Sequence, residues 1–225
     1  MLILAVDTSG KDGSIALVQF NGENAHTVDV APLEGGTFSA QLVPQISVML
    51  AKHNLSKNDV DAFAIVSGPG SFTGLRVGLA VIKALAEILQ KPIAAVSTLE
   101  ALVRSPGINF PCSNRVIAGL DAGRGEIYSG TFDRSGNQAV AIDQKLVTVD
   151  EFKANAAGQQ VVTSDTKLFE RLSEAKLKVA LVPRPSADAI ARLGFEKIKA
   201  GEIVTPETLD ASYIRRTDAE VKLGN

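Results

Sequence analysis

The chain has 225 residues, of which 45% are hydrophobic and 21% charged, and its formal net charge is −2. This length permits a sizeable core in one large or two small domains, and the nearly neutral charge excludes the basic surface that binds nucleic acid unaided. The single cysteine, Cys112, excludes an internal disulfide and is typical of a reducing compartment, and the two histidines exclude a Cys/His metal cluster.

Three strands in a meander are predicted at the start of the chain. They cover residues 2–6, 14–20 and 26–31. Because a strand follows the first strand, where a Rossmann unit would have a helix, that unit is excluded. Asp7, Thr8 and Ser9 end the first strand, in a turn rich in hydroxyls and glycine. They are candidate cofactor-binding residues that grip a phosphate or its metal ion, and the alternative is an Asx turn that satisfies its own backbone.

A helix is predicted from a cap at Thr37 to about His53, with a local bend at Pro44. Its predicted core face consists of Val43, Ile46 and Leu50. Its predicted outer face consists of Phe38, Gln41, Leu42, Gln45, Val48 and Met49. No charge precedes Lys52, and His53 is predicted to complement the dipole at the helix end.

A short strand over 62–66, a glycine-rich turn and a second apolar helix ending near Gln90 follow. The turn spacing is G-x-G-x-x-x-G without a following G-K-[ST], which differs from the dinucleotide fingerprint and from the P-loop. A tight turn that lets the helix pack close to the sheet is therefore favoured over a phosphate site, with Gly74 and Gly78 on the packing side. The predicted core face of this helix consists of Gly78, Val81, Ile82, Leu85 and Leu89. The flanking residues that need a second partner are Leu75, Leu79 and Ala86.

Residues 35–90 are poor in charge. They contain seven charged residues in 56, whereas the other 169 residues contain 41. Few charges combined with Leu, Met and Phe on an outer face are typical of an interface core. We therefore predict a protein interface on the helices at about 38–53 and 72–90, and the alternative is burial under the second half of the chain. The residues assigned to this interface are Phe38, Leu42, Gln45, Met49, Leu75, Leu79, Ile82 and Lys83.

The second half of the chain repeats the pattern of the first. A strand over 92–96 and a helix to Arg104 precede a Pro/Gly/Ser link over 105–113. Three strands follow, and Asp121 ends the first of them as Asp7 does in the first half. Alternating helices and strands continue to residue 199, so both halves read βββαβαβα. This predicts a duplicated α/β fold with an N-terminal lobe at 1–105 and a C-terminal lobe at 106–225, the last residues packing back on the first lobe.

Several motifs resemble one known family over essentially the whole chain. They are ILAVDTS at 3–9, SGPGSFTGLRVGLAVIKALA at 67–86, DAGRGEIYSGTF at 121–132 and YIRRTDAE at 213–220. The chain resembles the bacterial TsaB (YeaZ) family. This resemblance implies the duplicated actin/Hsp70/sugar-kinase-like (ASKHA, ribonuclease H-like) two-lobe fold. It also implies a role in forming threonylcarbamoyladenosine beside the anticodon of tRNAs that read codons starting with A.

The resemblance also implies a non-catalytic role and a set of partners. Members of the family assist the transferase TsaD through the first two helices of the N-terminal lobe, and the ATPase TsaE joins them. The expected partners are thus a TsaD-like catalytic subunit and a TsaE-like ATPase, with tRNA contacted only through the complex and a homodimer formed by the chain alone. No cofactor or metal is expected for this chain itself, and ATP or ADP is expected at most at the partner interface.

Two departures from related sequences bear on catalysis. TsaD-like enzymes hold a metal with a pair of histidines on the first helix, whereas this chain reads TFSAQLVPQI at 37–46. Many members of the TsaB family have a histidine where this chain has Phe38. No nucleophile–base pair is evident in the sequence, so no catalytic residue is assigned.

Two other functions remain open from the sequence. A phosphotransferase of the same fold would use Asp7, Thr8 and Ser9, together with Asp121 and Gly123, around a nucleotide phosphate. A glycoprotease-like peptidase is the other alternative, although no metal ligands or triad support it. Arg215 and Arg216 are interpreted as structural, and Cys112 is assigned no role. No basic segment with a long apolar run begins the sequence, and no apolar run approaches the ~20 residues that span a bilayer, so a cytoplasmic protein without a membrane contact is expected.

Overall fold

Every predicted strand and helix is present in the structure. The computed structural model describes residues 1–105, 115–135, 138–212 and 214. The strands are β1 Leu2–Asp7, β2 Gly13–Asn21, β3 Asn24–Leu33, β4 Ala62–Gly68, β5 Ile93–Ser97, β6 Arg115–Gly123, β7 Glu126–Ser135, β8 Gln138–Thr148, β9 Gln160–Thr163 and β10 Lys178–Leu181. The helices are α1 Phe38–Lys52, α2 Phe72–Leu89, α3 Thr98–Val103, α4 Val149–Ala156, α5 Thr166–Glu174 and α6 Ala187–Lys199, with a 3-10 turn at Lys57–Asp59.

The two halves of the chain form sheets of identical topology. The order is β3-β2-β1-β4-β5 in the first sheet and β8-β7-β6-β9-β10 in the second. In each sheet the three meander strands pair antiparallel, and the last two strands are added in parallel. Parallel neighbours require a crossover connection, which α1 and α2 supply in the first half and α4 and α5 in the second. The duplicated α/β architecture predicted from the sequence is confirmed.

The two compact units of the chain do not follow the order of the sequence. Unit 1 contains Met1–Thr98 and Pro185–Ser212, and unit 2 contains Leu99–Arg184. Within unit 1, α6 packs on β1, β2, β4 and β5. Within unit 2, Leu99, Leu102 and Val103 of α3 belong to the core of the second sheet. The predicted division into 1–105 and 106–225 is corrected accordingly, because periodicity locates a helix but does not say which sheet that helix covers.

The segment after α6 stays with unit 1. Val204 forms an antiparallel bridge with Ile93 at the edge strand β5, and the Ser212 N–H donates to the Ser67 carbonyl at 2.7 Å. The expectation that the last residues return to the first lobe concerns residues outside the described part of the chain. Arg215, Arg216 and the link residue Cys112 also lie outside it. No helix of the described residues is long and apolar enough to cross a membrane.

Helices cover unit 1 so closely that its central strand is fully enclosed. All six residues of β1 are buried, which is typical of a strand whose sheet is covered on both faces. A Cβ placed at Gly194 of α6 would lie 2.5 Å from the Ala64 Cβ of β4, so only glycine allows α6 to approach so near. Helices α1 and α2 pack on each other and on β3, β4 and β1, and they form the candidate site.

Candidate partner-binding face

Helix α2 begins and ends at defined caps. The Ser71 hydroxyl accepts a hydrogen bond from the Gly74 N–H at 3.3 Å, which satisfies one of the free donors of the first turn. Gln90 ends the helix in the left-handed conformation with φ 52°. The first turn contains no acidic residue. Ser71 is thus the N-cap of α2.

Two glycines decide which side of α2 faces the sheet. A Cβ at Gly74 would collide with the Thr8 carbonyl oxygen, and a Cβ at Gly78 would collide with the Thr8 hydroxyl. Since these glycines lie one turn apart, they form a flat stripe on which the end of β1 rests. The predicted role of Gly74 and Gly78, close packing of the helix on the sheet, is confirmed.

This packing buries most of the residues that the sequence assigned to the interface. The buried members are Phe38, Leu42, Met49, Leu75, Leu79 and Ile82. Val43, assigned to the core, is 56% exposed. The predicted faces of α1 and α2 are therefore corrected in part. The core assignments of Ile46, Leu50, Gly78 and Ile82 are confirmed, since all four are buried, and Val48 of the predicted outer face is exposed. Both faces of each helix are apolar, so helical periodicity alone could not tell which one turned inward.

Phe38 fills the space between α1, α2 and β2 on the buried side of the helices. Its ring lies over the positions of Gly13 in β2 and Gly74 in α2, close enough that a Cβ at either glycine would press on it. The ring thereby fills the space that the two missing side chains leave. The prediction that Phe38 contacts a partner is replaced by a role in packing β2, α1 and α2 together.

A different set of residues lines the groove between the two helices on the outside. We call this set the seam. On α1 the seam residues follow an exact four-residue spacing, and on α2 they do so again. The seam consists of Ser39, Val43, Ser47 and Ala51 on α1 and Val77, Val81 and Leu85 on α2. The α1 members are exposed and the α2 members partly exposed.

The seam is free of charge along its length. Two cavities border it, one at the amino-terminal ends of the helices and one at their carboxyl-terminal ends. The most exposed apolar side chain of α2, Ile88 at 68% exposure, follows the seam by one turn. An uncharged groove with apolar side chains at the surface is a candidate interaction surface. The four-residue series of uncharged residues in α1 was present in the sequence, and it is the signal that could have identified the seam.

The remaining two interface assignments, Gln45 and Lys83, do not belong to the seam, because at about 100° per residue each lies on the side of its helix away from the seam residues. Gln45 and Lys83 are partly exposed. A hydrogen bond from Thr205 lowers the pKa of Glu207 most, and the charge of Lys83 lowers it further. Lys83 is therefore close to the segment that follows α6.

The carboxyl-terminal end of α1 is tied to β3 by charged groups. Asp29 Oδ2 lies 2.8 Å from Lys52 Nζ and 2.8 Å from His53 Nε2. The hydrogen bond from Lys52, and after it that from His53, lowers the pKa of Asp29. His53 thus has a specific partner on the neighbouring strand in addition to its position at the helix end. This contact fixes the end of α1 against the sheet.

The candidate phosphate-binding turn is closed on itself. Asp7 Oδ1 accepts hydrogen bonds from the Ser9 N–H at 2.8 Å and from the Ser9 hydroxyl at 2.5 Å. Asp7, Thr8 and Ser9 are all buried. In the second unit the Gly123 N–H donates to Asp121 Oδ1 at 3.0 Å, the same i to i+2 bond at the corresponding place. The Asx turn is the alternative that this geometry favours.

The hydroxyl of Thr8 leads to a prediction about stability. Among the described residues Thr8 Oγ1 has no hydrogen-bond partner, and the side chain has 0% exposure. A buried polar atom without a partner costs about 1–3 kcal/mol. We expect Thr8→Val, which keeps the shape and removes the hydroxyl, to raise the free energy of unfolding by ~1 kcal/mol. Urea unfolding followed by circular dichroism measures this change.

Thr8→Ser is the matched control for that experiment. It keeps the hydroxyl and removes the buried methyl group, so we expect it to lower the free energy of unfolding by ~1 kcal/mol. A lower stability in Thr8→Val than in the wild type would mean that the hydroxyl has a partner, for example a bound group.

The chain is similar to known proteins of one family. A family model described as TsaD, tRNA N6-adenosine threonylcarbamoyltransferase, matches residues 34–191. The protein named tRNA threonylcarbamoyladenosine biosynthesis protein TsaB from Bacillus subtilis strain 168 is 29% identical over 99% of this chain and 97% of its own length. The protein of the same name from Escherichia coli K12 is 26% identical over 99% and 98% of the two chains.

A solved structure agrees with the sequence comparisons. The crystal structure described as an uncharacterized protein with similarity to peptidase YEAZ, from Pseudomonas aeruginosa, superposes with a TM-score of 0.76 at 26% identity. The match covers 95% of this chain and 99% of that chain. It agrees with the duplicated actin-like fold class that the resemblance implied. Among the described residues, no group of three His, Cys, Asp or Glu side chains is placed to hold a metal ion.

Proposed function

This chain belongs to the family described as TsaD, tRNA N6-adenosine threonylcarbamoyltransferase, and on that premise we propose that it is the subunit that binds and activates a TsaD-like catalytic partner. Its relatives over nearly the full length carry the name tRNA threonylcarbamoyladenosine biosynthesis protein TsaB. The chain accordingly has a role in the synthesis of threonylcarbamoyladenosine in tRNA. The activating role is the finer part of the proposal.

The observation that carries the activating role is the uncharged, exposed seam between α1 and α2. Charge depletion at the centre of an exposed patch distinguishes an interface core from the rest of a protein surface. The patch lies on two long helices whose other sides are buried in unit 1, so it is a rigid platform. A partner helix pair could pack against it without any rearrangement of the chain.

The sequence of α1 supports a subunit without its own transferase centre. TsaD-like enzymes hold a metal with a pair of histidines on the first helix, as the resemblance implies, and residues 38–52 of this chain contain no histidine. The phosphate-binding alternative has little support, because the Ser9 N–H and the Ser9 hydroxyl both donate to Asp7 within the turn, and the Thr8 hydroxyl is fully buried. We therefore assign the chemistry to the partner.

The further composition of the complex is also part of the proposal. A TsaE-like ATPase joins the pair, tRNA is contacted only through the complex, and nucleotide binds at most at the partner interface. In the absence of the catalytic partner, the seam joins two copies of this chain. Each of these statements follows from the family resemblance, and the reconstitution described next tests them.

The experiment that tests the proposal is a reconstitution with the TsaD and TsaE homologues from the same source. Threonylcarbamoyl incorporation into tRNA is measured with and without this chain, in the presence of the enzyme that makes threonylcarbamoyl-adenylate. Light scattering reports the mass of the chain alone and with the TsaD homologue. We expect incorporation to depend on the chain and a mixed complex to form.

Full incorporation without the chain, together with no mixed complex, would contradict the proposal. Calorimetry with ATP and ADP at millimolar concentration would then test the phosphotransferase alternative. A mixed complex in which incorporation is unchanged by the chain would support pairing and contradict activation.

A further inference from the structure

Four described strands lie at the edges of the two sheets, and their outer edges are closed to different degrees. Strand β5 is bridged by Val204 through Ile93. Strand β3 contains Pro32, which has no N–H to donate, and it contacts α1 and α6. Strand β10 has four residues, whereas β8 has eleven residues without a proline and, among the described strands, pairs with β7 alone. The outer edge of β8 is therefore a row of backbone groups to which a further strand can bond.

The side chains of β8 combine exposed apolar residues with two charges of opposite sign. Val140 is 67% exposed and Ile142 is 50% exposed. The charged residues of the strand are Asp143 and Lys145, and Asp143 Oδ2 lies 2.8 Å from Lys145 Nζ. Edge strands that stay unpaired are commonly protected by charges, especially lysines. In β8 the two charges cancel, so this protection is weak.

A bulge limits the regular part of β8. Ile142 has no partner in the register with β7, and such an extra residue interrupts the ladder. From Ile142 toward the end of the strand the side chains alternate between the two faces. Ile142, Gln144 and Leu146 thus lie on one face, and Asp143 and Lys145 lie on the other.

We propose that β8 pairs antiparallel with β8 of a second copy of this chain, about a two-fold axis at Gln144. In this register Asp143 of each copy lies opposite Lys145 of the other, and Ile142 lies opposite Leu146. One face of the ladder then has two apolar pairs on either side of the two Gln144 side chains. The other face has two carboxylate–ammonium pairs. Apolar and opposite-charge pairs of this kind are the contacts that stabilise neighbouring strands.

The charges select this register over its neighbours. An axis at Asp143 would place the two Asp143 carboxylates opposite each other, and an axis at Lys145 would do the same to the two ammonium groups. Like charges directly opposite each other destabilise a pair of strands. Strand β8 belongs to unit 2 and shares no residue with the seam, so this contact is separate from the seam and does not depend on the activating role.

An exchange of charges tests the proposal. All variants are made with Val43→Asp, which is expected to prevent pairing through the seam, and sedimentation equilibrium between about 10 µM and about 1 mM measures the association of weak complexes. We expect this parent to self-associate. Asp143→Lys and Lys145→Glu should each raise the Kd at least ~10-fold, because each creates two pairs of like charges. An equimolar mixture of the two variants should associate again, because each supplies the charges that the other needs.

Matched controls come from α5 of the same unit. Glu170→Lys and Lys167→Glu make the same charge reversals at exposed positions, and each should associate as the parent does. Melting temperatures report whether every variant is folded. Hydrogen exchange of the wild type gives a measurement without any substitution, in which the amides of residues 142–146 should be better protected at about 1 mM than at about 10 µM.

Three results would overturn the proposal. The first is a monomeric parent, or protection of residues 142–146 in the wild type that does not change with concentration. The second is self-association that neither charge reversal weakens, which would place the contact on another surface. The third is a loss of association in both variants without recovery in their mixture, which would mean that β8 does not pair in this register.

Discussion

Replacing Val43 by Asp should abolish the complex with the TsaD homologue and leave the chain folded. Val43 is 56% exposed and lines the groove of the seam, so a charge at this position is hydrated in the free chain. Valine and aspartate have similar helix propensities, which keeps the cost to the helix small. In the complex the same charge is buried without a partner, and this costs about 3–5 kcal/mol.

That penalty corresponds to an increase in Kd of at least ~100-fold, which calorimetry measures directly. The matched control is Val140→Asp, because Val140 is a valine of unit 2 with 67% exposure. We expect the control to bind the partner normally. Wild-type affinity in Val43→Asp would exclude the seam as the interface, and a collapsed melting temperature would show that Val43 is a core residue.

Replacing the preceding residue, Leu42, by Asp should instead unfold the chain. Leu42 has 0% exposure, so the carboxylate would be buried in the folded chain whether or not the partner is present. Burial of an unpaired charge, added to the loss of a packed leucine, should lower the free energy of unfolding by at least ~4 kcal/mol. Total stabilities of proteins are about 5–15 kcal/mol, so much of the variant should be unfolded at 37 °C.

Urea unfolding monitored by far-ultraviolet circular dichroism measures this effect. Leu42→Met is the conservative control, because a swap that conserves volume usually costs less than about 1.5 kcal/mol. A Leu42→Asp protein that keeps its melting temperature but no longer pairs would restore the face of α1 that the sequence alone indicated. The two neighbouring substitutions therefore test the orientation of α1 as well as the interface.

The predicted elements of the fold came from patterns that local chemistry sets. The strand β1 is an apolar run that ends at Asp7, the hairpin of β2 and β3 has Asn21-Gly22 at its turn, and the cap at Ser71 precedes a long apolar helix. Each of these signals depends on a few neighbouring residues. The predicted elements are present in the structure because the tertiary packing favours the same local conformations. The packing role of Gly74 and Gly78 was also predictable, because a helix residue without a side chain allows the helix to approach its neighbour closely.

The candidate site was predictable only in part. Charge depletion over residues 35–90 indicated the two helices, and the seam lies on them. The individual residues were mostly wrong as exposed contacts, because Phe38, Leu42 and Leu79 are buried while Val43 is exposed. Two apolar faces on one helix give the same periodicity whichever face turns inward, so in α1, which has no glycine to mark the packing side, the pattern did not fix the orientation.

The sequence by itself determined the secondary structure, the duplication and the family. The tertiary structure alone decided three further features: which apolar residues of α1 turn inward, the closed state of the Asp7–Ser9 turn, and the unit to which α3 and α6 belong. The physical reason is the range of the interactions. Strands, turns and caps depend on neighbours within a few residues, whereas the other features depend on contacts between residues far apart in the chain, such as Thr8 with Gly78 and Gly194 with Ala64.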